Sequence, residues 1–179
     1  GFDFEEATHG LEDLFPADRV VREIFLGQSD PQAARTDLLA SLNAGGLLVN
    51  YMGHGSVEIW SKKGILTSRD APSLTNGPRL PFVVAMNCLN GFFHDLYTES
   101  LGEALLKAEG GGAVAVWASS GLTGPEGQME MDRALLRALF DGSGRTLGEA
   151  IREAKAAASD KDIRRTWILF GDPTTRLNY

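Results

Sequence analysis

Two short hydrophobic runs, each ending close to a chemically reactive side chain, dominate the pattern of the chain. Residues 47–51 lead through a Met-Gly step to His54, and residues 81–86 lead through Asn87 to Cys88. Apolar runs of this length between turn-forming residues are typical of strands buried on both faces, as in a parallel sheet. Because parallel strands end at the same edge of a sheet, we expect His54 and Cys88 to face each other across a crevice there.

Strand and helix signals alternate along the rest of the chain. The apolar runs predict five strands, over residues 20–26, 47–51, 81–86, 113–118 and 166–170. N-cap residues, capping boxes and helical spacing predict helices over residues 4–15, from Asp30 to Gly45, around residues 68–74, from Ser100 to Gly110, through Met131 to near Gly142, and from Thr146 to about Ser159. This alternation predicts a single domain, residues 1–179, with a three-layer α/β fold and a mostly parallel sheet.

Composition and charge narrow the classes of partner. The chain has 179 residues, enough for one domain without a disulfide or metal staple, and its single cysteine cannot form an internal disulfide. With 24 acidic against 17 basic residues the net charge is −7, which argues against nucleic acid or an anionic membrane surface as the main partner. No apolar stretch of about 20 residues and no signal-peptide pattern is found, so we expect no membrane span in this chain.

A histidine beside a cysteine is the pattern of a nucleophile with its base. The imidazole of His54 would take the thiol proton of Cys88, the thiolate would attack a carbonyl, and the imidazolium would protonate the leaving amine. Two structural alternatives stand beside this hypothesis: a solvated histidine at a sharp strand exit, and a cysteine that fills the core. Neither explains why the two residues follow adjacent strand units at one sheet edge, so we favour catalysis.

Other site chemistries find less support in the sequence. The Gly53–Ser56 turn is similar to half of a phosphate-binding loop, but no lysine or complete glycine-rich pattern follows it. The chain has three histidines and no His-Glu-x-x-His motif, which argues against a catalytic zinc. We therefore predict no metal in the site and no cofactor.

Four motifs in order resemble the gingipain family of cysteine peptidases. They are Asn50-Tyr51-Met52-Gly53-His54-Gly55-Ser56, Cys88-Leu89-Asn90-Gly91-Phe92-Phe93, Glu103-Ala104-Leu105 and Phe170-Gly171-Asp172-Pro173, and the resemblance runs from about residue 19 to residue 176. It implies the caspase-like (flavodoxin-like) fold shared with caspases, legumains, clostripain and separase. It also implies a catalytic dyad of His54 and Cys88 and an oxyanion hole made by the backbone N–H groups of Gly55 and Cys88. A structural calcium ion and a secreted or cell-surface location would both fit the family.

The substrate pocket is expected beside Cys88. Trp117, Ser119, Ser120 and Gly121 follow the next strand along the sheet and are predicted to form its wall, although a strand-borne tryptophan commonly belongs to the core. The resemblance places an acid near the start of the domain at the pocket floor of arginine-specific members, and Asp3 falls near that position. An acid there would favour Arg or Lys before the cut bond. Asp3 is equally suited to cap a helix.

The resemblance also predicts a missing strand. Caspase-like sheets have six strands, the first of which lies inside the sheet, whereas this chain offers five candidates and starts at Gly1. An absent inner strand would leave rows of unpaired backbone groups, each costing about 1–3 kcal/mol if buried. We hypothesise that Gly1 is a processing site, and that an associated N-terminal fragment donates the strand together with an acid that orients His54. The alternatives are that Gly1 is an arbitrary boundary or that a second chain supplies the strand.

Three functions therefore follow from the sequence. The first is a cysteine endopeptidase that acts on protein or peptide substrates and processes itself. The second is a transpeptidase of the same fold, which passes the acyl group from Cys88 to an amine instead of water. The third is a catalytically silent interaction scaffold, against which the intact His54 and Cys88 pair argues.

Overall fold

A four-stranded sheet lies at the centre of the chain. In the computed structural model, which describes residues 1–177, the strands in chain order are β1 (Leu48–Met52), β2 (Gly55–Ser56), β3 (Ile59–Trp60), β4 (Leu66–Thr67), β5 (Phe82–Met86), β6 (Ala115–Ser119) and β7 (Trp167–Phe170). The central sheet has the order β1-β5-β6-β7, and β2, β3 and β4 form a small antiparallel sheet of their own. Pairing is parallel from β1 through β5 to β6, and β7 is antiparallel to β6.

Six α-helices in the described residues connect and cover these strands. They are α1 (Phe4–His9), α2 (Pro31–Ala44), α3 (Leu101–Lys107), α4 (Pro125–Phe140), α5 (Leu147–Ala157) and α6 (Lys161–Thr166), with 3₁₀ turns at Glu12–Leu14 and Ala71–Ser73. Both predicted capping boxes are formed, because Ser100 and Glu103 at α3, like Thr146 and Glu149 at α5, exchange side-chain and backbone hydrogen bonds. Within residues 1–177, none of the helices combines the length and the apolar character that crossing a membrane requires.

Side-chain alternation along the buried strands divides the core into two layers. On β5, Phe82, Val84 and Met86 pack toward α4 and α5, whereas Val83 and Ala85 pack toward α2 and α3. All five of these side chains are buried, as the unbroken apolar run required. The three-layer α/β prediction with a mostly parallel sheet is confirmed.

The predicted strand over residues 20–26 is wrong. The segment forms no strand, and Val20 is 97% exposed. It is tied to its surroundings by side chains instead: Arg22 pairs with Asp37, and Glu23 pairs with His9. A strand exists only where another strand supplies backbone partners, and a cavity of about 1120 Å³ is lined by both this segment and β1. Residues 20–26 have the composition of a strand but no neighbouring strand to pair with in the described chain.

The edge of the sheet at β1 carries backbone groups that no strand pairs within residues 1–177. The N–H of Gly53 donates to the Met86 carbonyl, and the N–H of Phe82 donates to the Leu47 carbonyl, which places the groups of these alternate residues toward β5. By the alternation of a parallel ladder, the N–H and C=O groups of Leu48, Asn50 and Met52 point the other way. Since β1 is at the end of the sheet order, these groups lie along the cavity side of the strand.

One polar pair is buried under the strand that leads to His54. The side-chain amide of Asn50 on β1 donates to Asp132 Oδ2 on α4 at 2.7 Å. Asp132 is fully buried, and burial raises the pKa of its carboxyl from 3.8 to about 7 despite the opposing effect of the Asn50 hydrogen bond. Asp132 Oδ1 and Asn50 Oδ1 accept no hydrogen bond from any group within residues 1–177. The Asn50–Asp132 hydrogen bond thus links β1 to α4. The free-energy cost of burying the Asp132 carboxyl depends on whether that carboxyl is protonated.

This pair predicts a pH-dependent stability. Between about pH 4 and pH 7 the unfolded Asp132 carboxyl is ionised while the folded one holds its proton, so the free energy of unfolding falls as the pH rises through that window. The slope contributed by one such group approaches about 1.4 kcal/mol per pH unit. Urea unfolding of Asp132→Asn across this range should lack that contribution, whereas Asp30→Asn, at an exposed helix cap, should retain it. Parallel pH profiles for wild type and Asp132→Asn would contradict the assignment.

Candidate active site

The register of β1 and β5 brings the two candidate catalytic residues together. The strands run parallel, and Met52 is paired with Met86 at their carboxyl ends. His54 and Cys88 each follow that pair by two residues. Because neighbouring strands are about 4.8 Å apart, both residues emerge side by side at the same sheet edge. The register therefore agrees with the placement of both residues beyond the carboxyl ends of adjacent strands, and the crevice between them stays a prediction.

His54 is held by its backbone and by an aromatic contact. Its carbonyl oxygen accepts hydrogen bonds from the Tyr51 hydroxyl at 2.7 Å and from the N–H of Ser61 at 2.8 Å. The Tyr51 ring stacks on Trp60, with ring centroids 4.2 Å apart, and burial raises the pKa of the tyrosine hydroxyl, so it stays a donor. The exposed imidazole lies with its centroid 5.1 Å from that of Phe4.

Cys88 lies on a sharp turn at the exit of β5. The residue after it, Leu89, has φ 67°, in the left-handed region that non-glycine residues rarely adopt. Such a backbone costs roughly 1–3 kcal/mol and is characteristic of functional sites. The N–H of Leu89 donates to the Gly121 carbonyl at 3.3 Å, which ties this turn to the loop after β6.

The thiol itself is turned toward that neighbouring loop. The half-buried Cys88 Sγ donates to the Thr123 carbonyl at 3.6 Å. Among residues 1–177, no hydrogen bond joins the His54 ring to the Cys88 sulfur, and the backbone N–H of Cys88 has no acceptor. His54 and Cys88 thus lie at the same edge of the sheet without a hydrogen bond between their side chains. Catalytic hydrogen bonds are often long until a substrate binds.

Gly55 touches the residue that precedes the cysteine. A Cβ at position 55 would lie 2.1 Å from Asn87 Nδ2 and 2.6 Å from Asn87 Cγ, so no other residue fits without displacing this side chain. The absence of a side chain at Gly55 therefore lets the His54 loop and the Cys88 loop meet at van der Waals distance. The predicted oxyanion-hole residues, Gly55 and Cys88, lie on these two adjoining loops.

The predicted pocket-wall residues are divided between core and loop. Trp117 is completely buried and packs edge-to-face on Trp167 at 6.4 Å, so its ring belongs to the core. Ser119 is also buried, and its hydroxyl bonds the backbone of Gly121. Ser120 is partly exposed and donates through its hydroxyl to the Thr166 carbonyl at 3.0 Å. The 119–121 segment thus stabilises the loop that reaches Cys88.

Asp3 serves as the N-cap of α1. Its Oδ1 accepts hydrogen bonds from the N–H groups of Glu5 and Glu6, both at 3.1 Å. Its Oδ2 accepts none within residues 1–177 and the side chain is exposed. Asp3 directly precedes Phe4, whose ring contacts His54, so the capping role does not remove Asp3 from the vicinity of the site.

The described residues include one cluster with the spacing of a metal site. His9, Glu12 and Glu23 place three ligand atoms within 4.8 Å of one another, and all three residues are exposed. His9 Nδ1 lies 3.1 Å from Glu23 Oε1, and this hydrogen bond raises the pKa of the imidazole. The cluster therefore has an ion-pair explanation, in which His9 fastens the 20–26 segment to α1.

Several residues of the site were not predicted from the sequence. Asn87, Asn90 and Thr123 make side-chain or backbone contacts in the segments around His54 and Cys88, and Phe4 packs on His54. Asn87 and Asn90 flank Cys88 in the sequence, and this pattern of two amides around the nucleophile was the available signal. Thr123 and Phe4 carry no local signal, because their contacts span more than thirty residues of chain.

Comparison with known proteins now identifies the class. A family model for peptidase family C25 matches residues 3–178. Gingipain R2 of Porphyromonas gingivalis is 31% identical over 158 residues, covering 81% of this chain and 21% of that protein, and gingipain R1 of the same species is 31% identical over 158 residues with 16% of its length covered. The chain belongs to peptidase family C25, the gingipain-like cysteine peptidases, and spans about a fifth of the length of these relatives.

Solved structures agree on the fold. The crystal structure of the Arg-specific cysteine proteinase gingipain R (RgpB) superposes with a TM-score of 0.74 at 29% identity, over 80% of this chain and 36% of that one. A complex of the pro- and mature domains of RgpB from Porphyromonas gingivalis superposes with a TM-score of 0.72 at 27% identity, over 78% of this chain and 36% of that one. The α/β architecture is therefore that of the gingipain caspase-like fold.

Proposed function

We propose that this chain carries the catalytic dyad of a cysteine endopeptidase that hydrolyses peptide bonds. The observation that supports it most is the register of β1 and β5, which sets His54 and Cys88 at equal positions beyond the paired Met52 and Met86. Membership of peptidase family C25 supports cysteine-peptidase chemistry for this pair. The left-handed turn at Leu89, beside the thiol, is a further feature of a functional site.

The proposed reaction uses groups of the chain alone. The Cys88 thiol leaves the Thr123 carbonyl and transfers its proton to His54, and the thiolate attacks the scissile carbonyl carbon. The backbone N–H groups of Gly55 and Cys88 donate to the developing oxyanion, an interaction worth about 10²–10³ in rate per donor. The imidazolium protonates the leaving amine, and water then hydrolyses the thioester with His54 as base. No cofactor takes part in this scheme. That the site needs no cofactor is a prediction from the sequence.

We propose further that the site prefers Arg or Lys before the cut bond. Asp3 supports this, because its Oδ2 is unused within residues 1–177 and its neighbour Phe4 contacts the His54 ring. The net charge of −7 also favours cationic substrates. Gingipain R is described as Arg-specific. The 119–121 loop contributes backbone rather than aromatic surface, since Trp117 is buried.

A strand from elsewhere in the protein is proposed to complete the sheet. The outward backbone groups of Leu48, Asn50 and Met52 offer a parallel ladder, and the adjoining cavity of about 1120 Å³ has room for an extended segment. In RgpB the pro- and mature domains form a complex. We propose that an associated N-terminal fragment of the same protein is the occupant. Self-processing at Gly1 stays a prediction.

The dyad is tested by thiol labelling and cleavage in the full-length protein. A thiolate paired with imidazolium alkylates fast near neutral pH, so His54→Ala should slow iodoacetamide labelling of Cys88 by roughly 10-fold or more. Cleavage of a peptide library should fall by on the order of 10³-fold or more in Cys88→Ala and in His54→Ala. The control His94→Ala removes an exposed histidine packed on Phe92 and should match wild type.

The outcomes separate the competing functions. Labelling that is slow and indifferent to His54 would contradict the peptidase and favour the scaffold. Fast labelling with products joined to an added amine, in place of hydrolysis, would favour the transpeptidase.

The role of Asp3 is tested by a substitution that keeps the helix cap. Asparagine caps helices as well as aspartate does, so Asp3→Asn removes the charge alone. Selectivity for Arg or Lys over a neutral residue, measured as a ratio of kcat/KM values, should drop by about 10-fold or more, as expected for loss of a charge-assisted hydrogen bond. Asp30→Asn, at the equivalent cap of α2, is the matched control. Unchanged selectivity in Asp3→Asn would exclude this acid.

The proposed added strand is tested by amide hydrogen exchange. The N–H groups of Leu48, Asn50 and Met52 should exchange slowly in the longer protein and rapidly in the 179-residue chain, because the second ladder is present in the longer protein alone. The N–H groups of Val83 and Val84, on a strand paired on both sides, serve as internal controls. Equal exchange of the β1 amides in both forms would show that no strand pairs there.

A further inference from the structure

Two buried asparagines flank the cysteine. Asn87 precedes Cys88 and is 0% exposed, and Asn90 follows it by two residues and is 1% exposed. A primary amide withdrawn from water is stable in a fold where its donors and acceptors find partners. The partners of this pair are the two amides themselves and carbonyl groups of the β2–β3 hairpin, which directly follows His54.

The amides form a relay between the two loops. Asn87 Nδ2 donates to Asn90 Oδ1, and Asn90 Nδ2 donates to the carbonyl of Ser56, with the carbonyls of Val57 and Ile59 within 3.5 Å. These three carbonyl oxygens surround Asn90 Nδ2 and fix the orientation of the amide. In the flipped orientation the amide oxygen would lie among them and be repelled. The relay thus runs from the residue before Cys88 to the second residue after His54.

At the other end of the relay, the side chain of Asn87 contacts Gly55 directly. Asn87 Nδ2 occupies space 2.1 Å from where a Cβ of Gly55 would be. The side chain of Asn87 is therefore packed between the backbone of Gly55 and Asn90. Movement of the His54 loop toward or away from Cys88 would either compress this contact or break the hydrogen bonds.

Asn90 is itself anchored to the sheet. Its carbonyl accepts from the N–H of Gly102 in α3 at 2.9 Å, and the N–H of Gly91 donates to the Ser119 carbonyl of β6 at 2.8 Å. The amide of Asn90 is therefore a fixed point, whereas the exposed His54 loop depends on contacts of this kind for its position. Asn87 Oδ1 is buried without a hydrogen-bond partner in the described chain, an unfavourable arrangement in the residue that precedes Cys88.

We propose that Asn87 and Asn90 are positioning residues, which set the separation between the His54–Gly55 loop and the Cys88 turn. This rests on the proposed function, in which the oxyanion donors come from Gly55 and Cys88 and the base from His54. The ladder between β1 and β5 reaches as far as the hydrogen bond from the Gly53 N–H to the Met86 carbonyl, so beyond it the separation of the two loops depends on side-chain links. The asparagine relay supplies that link from below the crevice, without touching substrate.

The test compares two buried asparagines. Asn90→Ala removes the relay, whereas Asn76→Ala removes an equally buried asparagine that bridges two loops elsewhere, through hydrogen bonds of 2.8 Å and 3.0 Å to the N–H and carbonyl of Gly112. Both variants should unfold at lower temperature. In the full-length protein, Asn90→Ala alone should lower kcat by about 10-fold to 100-fold with little change in KM, as a misplaced catalytic group does. It should also slow alkylation of Cys88 toward the rate of His54→Ala.

A readout independent of catalysis keeps the outcomes distinct. Amide exchange over residues 54–57 should accelerate in Asn90→Ala and not in Asn76→Ala, whether or not the protein cleaves peptides. Accelerated exchange in a protein without peptidase activity would refute the proposed function and retain the relay. Unchanged exchange and unchanged kcat in Asn90→Ala, or equal losses in Asn76→Ala, would overturn the relay. If Asn90→Ala fails to fold, Asn87→Ala removes one arm and keeps the Ser56 hydrogen bond, and the same readouts apply.

Discussion

The in-register parallel pairing of β1 with β5 is the constraint on which the remaining architecture depends. It joins two strands from separate helical connections and aligns their ends, so that a histidine from one and a cysteine from the other emerge together. A shift of the register by one residue would turn every side chain of β1 to the opposite face. Asn50 would then leave Asp132, and Tyr51 would leave Trp60. Core packing on both faces therefore protects the alignment of the site.

The sequence was sufficient for those parts of the fold that depend on local signals. The strand β5 is an unbroken apolar run, and the helix starts at Ser100 and Thr146 follow capping boxes whose partners are three residues apart. The placement of His54 and Cys88 followed from a general rule about parallel sheets. These predictions need the order of elements and the position of each residue along its own strand.

Features that depend on distant partners escaped the same reasoning. Residues 20–26 have the composition of a strand, yet pairing is a property of neighbours, and none lies beside them within residues 1–177. The small sheet of β2, β3 and β4 consists of two-residue strands, too short to leave an alternating pattern. The sequence leaves Trp117 open between the pocket wall and the core, and only the contact of its side chain with Trp167 distinguishes the two. The contacts of Asn90 with Ser56 join residues 34 positions apart.

Within the described part of the chain no strand pairs with the outer edge of β1, and this affects the behaviour of the chain in solution. Natural sheets guard their edges with lysine, proline, bulges or a covering element. The strand Leu-Val-Asn-Tyr-Met contains neither lysine nor proline, and a cavity adjoins it. Copies that meet at high concentration can therefore pair edge to edge, so the stretch of sequence that orders the site is also the stretch through which the separated chain would aggregate.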